Sequence, residues 1–80
     1  MKARVFVTLK NGVLDPQGQA IEGSLSSLGF SGVANVRQGK VFDLEVQGTD
    51  TENVRSQIKA MCDKLLANTV IENYTIEISN

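Results

Sequence analysis

The sequence predicts an α+β fold: a two-layer, ferredoxin-like sandwich of βαββαβ order, with a four-stranded antiparallel sheet and two helices on one of its faces. Three observations predict it. Residues 3–10 and 74–79 alternate polar and apolar with the period of a half-buried strand. Two intervening stretches repeat apolar residues at helical spacing. Between them, two short apolar runs flank Gln38-Gly39-Lys40, the pattern of a hairpin.

In the first strand, Val5, Val7 and Leu9 share one face and Arg4, Phe6, Thr8 and Lys10 the other. Asn11-Gly12 breaks it. Asp15-Pro16 then offers a helix start, because the aspartate accepts from free N–H groups and proline suits the first helical position. The predicted stripe of this helix is Gln17, Ile21, Leu25 and Leu28, flanked by Ala20 and Ser24, with Gly18 and Gly23 weakening it. Gly29 suits a left-handed C-terminal cap, with Phe30 folding back onto the helix.

Residues 33–37 and 41–46 read as paired strands. A three-residue loop sets Val36 opposite Phe42 and Ala34 opposite Leu44, leaving Asn35, Arg37, Asp43 and Glu45 on the far side; a two-residue loop mixes the faces. Lys40 stands where such a loop usually has glycine. Thr49 and Glu52 form a capping box for the second helix, whose stripe is Val54, Ile58, Met61, Cys62, Leu65 and Leu66. Asn68 is positioned to cap its end, and Tyr74, Ile76 and Ile78 form the buried face of the last strand.

Eighty residues make one domain, 1–80, and a chain this short buries only about 60% of its unfolded surface, which favours self-association. Eight Lys and Arg against nine Asp and Glu leave a net charge of -1, and an isoelectric point near 5.2 argues against nucleic acid as a partner. With no histidine, the Ser-His and Cys-His arrangements and the commonest zinc ligand are excluded. The lone Cys62 forms no intrachain disulfide and fits a reducing compartment, so the cytoplasm is expected. The sequence contains no apolar run long enough for a membrane helix, and no membrane partner is expected.

Each candidate for chemistry has a plainer structural explanation. Asp15-Pro16-Gln17-Gly18 joins a helix N-terminus to a glycine, a combination that cradles anions, yet a capping Asp15 occupies the same donors. Arg37 and Lys40 bracket the hairpin and, with Arg4 or Lys10, could make a modest basic patch; solvated charge at a turn is the ordinary case. Cys62 lies on an apolar stripe beside Asp63, the setting of an inert buried thiol. On the outward sheet face, Phe6, Val33 and Val41 among Arg4, Thr8, Arg37 and Glu45 point to cover by a second subunit. The neighbours Val70 and Ile71 point the same way, since in extended structure one of them faces out. Phe6 is the lone aromatic there, too little for an RNA-binding face.

Three segments carry a family resemblance: Leu14-Asp15-Pro16-Gln17-Gly18, Val36-Arg37-Gln38-Gly39-Lys40, and the run from Met61-Cys62-Asp63-Lys64-Leu65-Leu66 through Ala67-Asn68-Thr69-Val70-Ile71-Glu72-Asn73-Tyr74. Together they resemble the PurS subunits of phosphoribosylformylglycinamidine synthase, over nearly the whole chain. The resemblance implies a cytoplasmic purine-biosynthesis complex that converts formylglycinamide ribonucleotide to its amidine. In it a large synthetase subunit uses ATP and magnesium, and a glutaminase subunit releases ammonia. The small subunit implied here has no catalytic residues and binds no cofactor or metal. It forms homodimers, in some members pairs of dimers, bridges the two larger subunits and aids ammonia transfer. Contact residues implied by the matching segments are Gln17, Arg37, Lys40, Lys64, Asn68, Thr69, Val70 and Ile71, to which the sheet-face reading adds Phe6 and Val41. Two other classes stay open on this fold: a small-ligand regulatory module, and an acyl phosphate hydrolase using Arg37 with Asn35.

Overall fold

The computed structural model describes residues 1–79. Strand β1 (Lys2–Leu9) is followed by helix α1 (Pro16–Ser27), strand β2 (Gly39–Glu45), helix α2 (Thr51–Met61), a π turn (Cys62–Leu66) and strand β3 (Glu72–Ser79). The sheet is antiparallel with order β2-β1-β3, so the first strand is central. Its alternation sets Ala3, Val5 and Val7 facing α2 and Arg4, Phe6 and Thr8 on the outer face. The register places Phe42 and Ile76 beside Val5, and Leu44 and Ile78 beside Ala3, all on the helix side.

Helix α2 closes this layer with Val54, Ile58 and Cys62, each fully buried. Each buried Val or Ile side chain contributes about 1.5–3 kcal/mol relative to exposure. The helix starts one residue later than the capping box predicts. Asp50, rather than Thr49, is the cap, and its carboxylate accepts from the Glu52 amide at 3.0 Å. After Cys62 the predicted stripe fails for a geometric reason. The wider π turn, closed by the Ala67 amide on the Cys62 carbonyl, rotates the chain so that Leu66 and Ala67 turn inward while Leu65 is 83% exposed. Met61 is displaced toward the surface as well. Asn68 caps no helix; it organises the turn that follows.

The predicted fourth strand and its hairpin do not form. Residues 33–38 lie outside the sheet, and the chain runs from them straight into β2, with Gly39 already paired to Thr8. Consequently Val36 does not pair with Phe42, and Val33 does not share the sheet face with Phe6. Residues 30–38 instead run back along α1 as a strap. The Phe30 amide donates to the Leu25 carbonyl and the Gly29 amide to Ser26, a Schellman closure with Gly29 at φ 99°, as its sequence position predicts. Farther along, the Val36 amide donates to Glu22 Oε1 at 3.0 Å and the Gln38 amide to Asp15 Oδ2 at 2.7 Å. The Arg37 guanidinium then ties the strap to the carbonyls of Val13 and Lys10.

Helix and strap together make an arm that departs from the sheet. In α1 only Gly18 is buried, because a Cβ there would strike the Val36 carbonyl; the predicted stripe is left uncovered, with Ile21 41% and Leu28 74% exposed. The second helix of the predicted sandwich therefore does not cover the sheet in this chain. Its dimensions follow: the radius of gyration is 16.0 Å, against about 12 Å for a compact chain of this length, and the long axis is 49 Å.

Two outcomes test this account. Ile58→Ala empties the centre of the apolar layer between α2 and the sheet, so chemical denaturation should show a loss of about 2–5 kcal/mol; a loss below 1 kcal/mol would place the core elsewhere. Asp15 Oδ1 also accepts from the Gly18 amide at 2.8 Å, and the amides of Gln38 and Gly18 hold its carboxyl below the usual aspartate range against the opposing effect of burial. A folded value below the unfolded one means that the clasp contributes stability above the unfolded value and loses it as pH falls through the folded one. The Gln38 and Gly18 amide resonances should therefore titrate together, below the ordinary aspartate range, and in acid approach their positions in Asp15→Ala. Separate midpoints would contradict a shared clasp.

Candidate functional site

The residues expected to make contacts fall into three places. The first is the base of the arm. Gln17 lies exposed on the first turn of α1 and, with Asp15, Gln38, Lys40 and Glu72, lines a shallow cleft of about 190 Å³. Arg37 is close by in sequence but spends its guanidinium on two carbonyls, at 2.9 and 3.2 Å. Lys40 sits beside Phe42 and 3.6 Å from Glu72 Oε2. Arg4 does not join Arg37 and Lys40 in the expected basic patch, because it pairs with Asp43 at 2.7 Å on the other face of the sheet.

The second place is the turn between the π turn and β3, which gathers Asn68, Thr69, Val70 and Ile71 next to Lys64. Asn68 Oδ1 accepts from the Val70 amide, and the Asn68 carbonyl accepts from the amides of Ile71 and Glu72. This is a turn rather than extended chain, so the argument that neighbours face opposite sides does not apply: Val70 is 81% exposed and Ile71 is exposed too. Leu65, which the sequence places in the core, is exposed at the end of the preceding helix instead. Tyr74 anchors that end by donating to Asp63 Oδ1 at 3.0 Å. Burial and this carboxylate raise the phenol's pKa.

The third place is the outer face of the sheet. Val41 and Phe6 are direct cross-strand partners, with Thr75 completing the row, and the next row is Asp43, Arg4 and Glu77. Phe6 is half-buried by its neighbours and Val41 is exposed. An open trough of about 870 Å³ runs over the charged rows from Lys2 to Ser79.

Glu72 is the residue that sequence reasoning passed over. It is an acid in a β strand whose signal was the period-2 pattern around it, and only tertiary placement brings it to both Lys40 and the Asn68 amide. The hydrolase arrangement does not assemble either: Arg37 is engaged by carbonyls, and Asn35 sits in the strap with φ 58°. Cys62 is fully buried, and burial followed by the Asp63 charge raises its thiol pKa. Among the described residues, no three His, Cys, Asp or Glu side chains gather as a metal cluster, and no helix is long and apolar enough to cross a membrane.

The chain as a whole is similar to known proteins. The family model described as PurS, phosphoribosylformylglycinamidine (FGAM) synthase, matches residues 2–80. The chain is 49% identical to the phosphoribosylformylglycinamidine synthase subunit PurS of Synechocystis over 95% of its own length and 76% of that protein. A solved PurS structure from Methanocaldococcus jannaschii is one of the subunits of formylglycinamide ribonucleotide amidotransferase in the purine biosynthetic pathway. It superposes with a TM-score of 0.85 at 42% identity, covering 95% of this chain and 92% of that one. A chain in the structure of PurLQS from Thermotoga maritima superposes at 0.87 with 33% identity, covering 95% and 93%. The helix start at Asp15, the Arg37 strap and the Asn68 turn thus lie within a match that spans almost the entire molecule, and the chain belongs to the PurS family, the small subunit of phosphoribosylformylglycinamidine synthase in purine biosynthesis.

Proposed function

We propose that this chain serves its synthase as a non-catalytic bridge, joining a large synthetase subunit to a glutaminase subunit and aiding the passage of ammonia between them in the cytoplasm. The ATP and magnesium of the complex are then handled on the other subunits. The observation that carries this reading is the near full-length likeness to a chain of the PurLQS assembly. The surface supports it. Exposed Leu65, Val70 and Ile71, with Lys64 and Thr69 beside them, offer an apolar contact with a polar rim, the usual anatomy of a docking patch.

Before it meets other subunits the chain pairs with a second copy, and the arm is the means. Its α1 stripe is uncovered, while Phe42 and Leu44 of β2 are only half-buried because α2 lies over one side of the sheet. Beyond β2 the sheet edge is open, and the strap enters β2 without the turn that Gln38-Gly39-Lys40 would make in a closed hairpin. An opened hairpin is the geometry in which a segment packs on a partner rather than on its own chain. The α1 stripe of one copy therefore covers β2 of the other, and the Phe6 and Val41 face joins pairs into larger assemblies. Gln17, Arg37 and Lys40 then act at the base of the arm, and Lys64, Asn68, Thr69, Val70 and Ile71 at the docking turn.

Light scattering tests the self-association surfaces. Ile21→Lys with Leu28→Lys should yield monomers, and Phe6→Lys with Val41→Lys should lower the mass of the wild-type assembly; wild-type mass in both would refute the assignment. Mixing with the synthetase and glutaminase subunits, with glutamine and nucleotide present, tests bridging. Val70→Asp should weaken entry into that complex roughly tenfold or more while changing stability by less than about 0.5 kcal/mol. Undiminished entry would remove the turn from the contact.

A further inference from the structure

We propose that Glu72 is a positioning residue that holds the 68–71 turn in its docking shape and fastens it to the base of the arm. This rests on the reading of that turn as a contact for another subunit. The two carboxylate oxygens of Glu72 serve different elements. Oε1 accepts from the Asn68 amide at 2.7 Å, and Oε2 lies 3.6 Å from Lys40 Nζ on β2. The Glu72 side chain is 13% exposed and so held in place, while Lys40 at 57% leaves the ion pair open to solvent at its ammonium end.

The first interaction completes the turn. Three other hydrogen bonds within the turn converge on Asn68, whose carbonyl takes the amides of Ile71 and Glu72 and whose Oδ1 takes that of Val70. The Asn68 amide is the remaining group at that hub, and the Glu72 carboxylate is its acceptor. A charged acceptor makes this one of the stronger bonds of its kind.

The second interaction reaches the arm. The chain enters the arm after β1 at Lys10 and returns from it at Gln38 and Gly39, immediately before Lys40. The Lys10 amide donates to the Ile71 carbonyl at 2.8 Å, so the entry is bound to one end of the turn. The Lys40 ammonium is bound to Glu72, so the return is bound to the next residue. The turn that presents Val70 and both roots of the arm therefore meet at two consecutive residues, and the Glu72 carboxylate is the side chain that joins the turn to the returning root. Docking on the turn and seating of the arm on a second copy share this joint.

Hydrogen exchange of the isolated protein reads the positioning directly, and complex formation reads its consequence. In Glu72→Ala the Asn68 and Ile71 amides should exchange roughly tenfold faster or more, and entry into the complex with the synthetase and glutaminase subunits should weaken several-fold. Glu72→Gln keeps an acceptor for Asn68 and should restore most of the protection, while Lys40→Ala should leave the Asn68 amide protected and speed exchange at Gln38. Unchanged exchange in Glu72→Ala, or faster exchange with undiminished entry, would overturn the proposal. Val70→Asp separates the two readings: if it enters the complex normally, the contact itself is misplaced, whatever the exchange at Asn68 shows.

Discussion

A three-stranded sheet has two faces and two edges to satisfy, and one helix of eleven residues satisfies only part of one face. The rest of the structure follows from this shortfall. Val5, Val7, Val54, Ile58 and Cys62 form a core where α2 overlies β1, but the inner side chains of β2 are half-covered, its outer edge is free, and the whole outer face lies open. In a larger protein these deficits would be met by more chain. Here the material that could meet them, α1 and its strap, is directed away from the sheet.

What directs it away is polar. The arm is closed on itself by Asp15 and Glu22, which accept from main-chain amides of the strap, and by Arg37, which donates to main-chain carbonyls of the segment leading into α1. Such bonds fix geometry without requiring apolar burial, so the arm keeps its form while its apolar side remains available. An arm shaped in advance loses less freedom on binding than a disordered segment would. The same logic applies at the base of the arm, where the π turn and the Asn68 hydrogen bonds hold Leu65 and Val70 outward.

Much of this was legible in the residues. The alternation of β1 and β3, the Asp15-Pro16 start, the Gly29 closure and the buried Val54, Ile58 and Cys62 all follow from local pattern, which short-range physics governs. The misreadings share a different cause. Residues 33–37 have strand character, and within a single chain burial favours a hairpin with 41–46; nothing in their pattern says that the chain will instead run straight on. Leu65 fails because one extra residue in a helical turn shifts every position after it, and no periodicity announces a π turn. The meeting of Lys40 with Glu72 was not legible, since the two come together only through the register of three strands.

The pairing order also governs how the molecule is made. The central strand β1 is synthesised before its partner β3, and the two are joined in the sheet as Lys2 beside Ser79. The core is thus a high-contact-order structure, because everything from Lys10 to Ile71 lies between the strands it pairs. The arm is the reverse, since its bonds join residues no more than 27 apart and are all available before β3 exists. During synthesis the arm can therefore be organised while the core is still unfinished, so for a time the chain carries a shaped element with an uncovered apolar stripe and no core behind it.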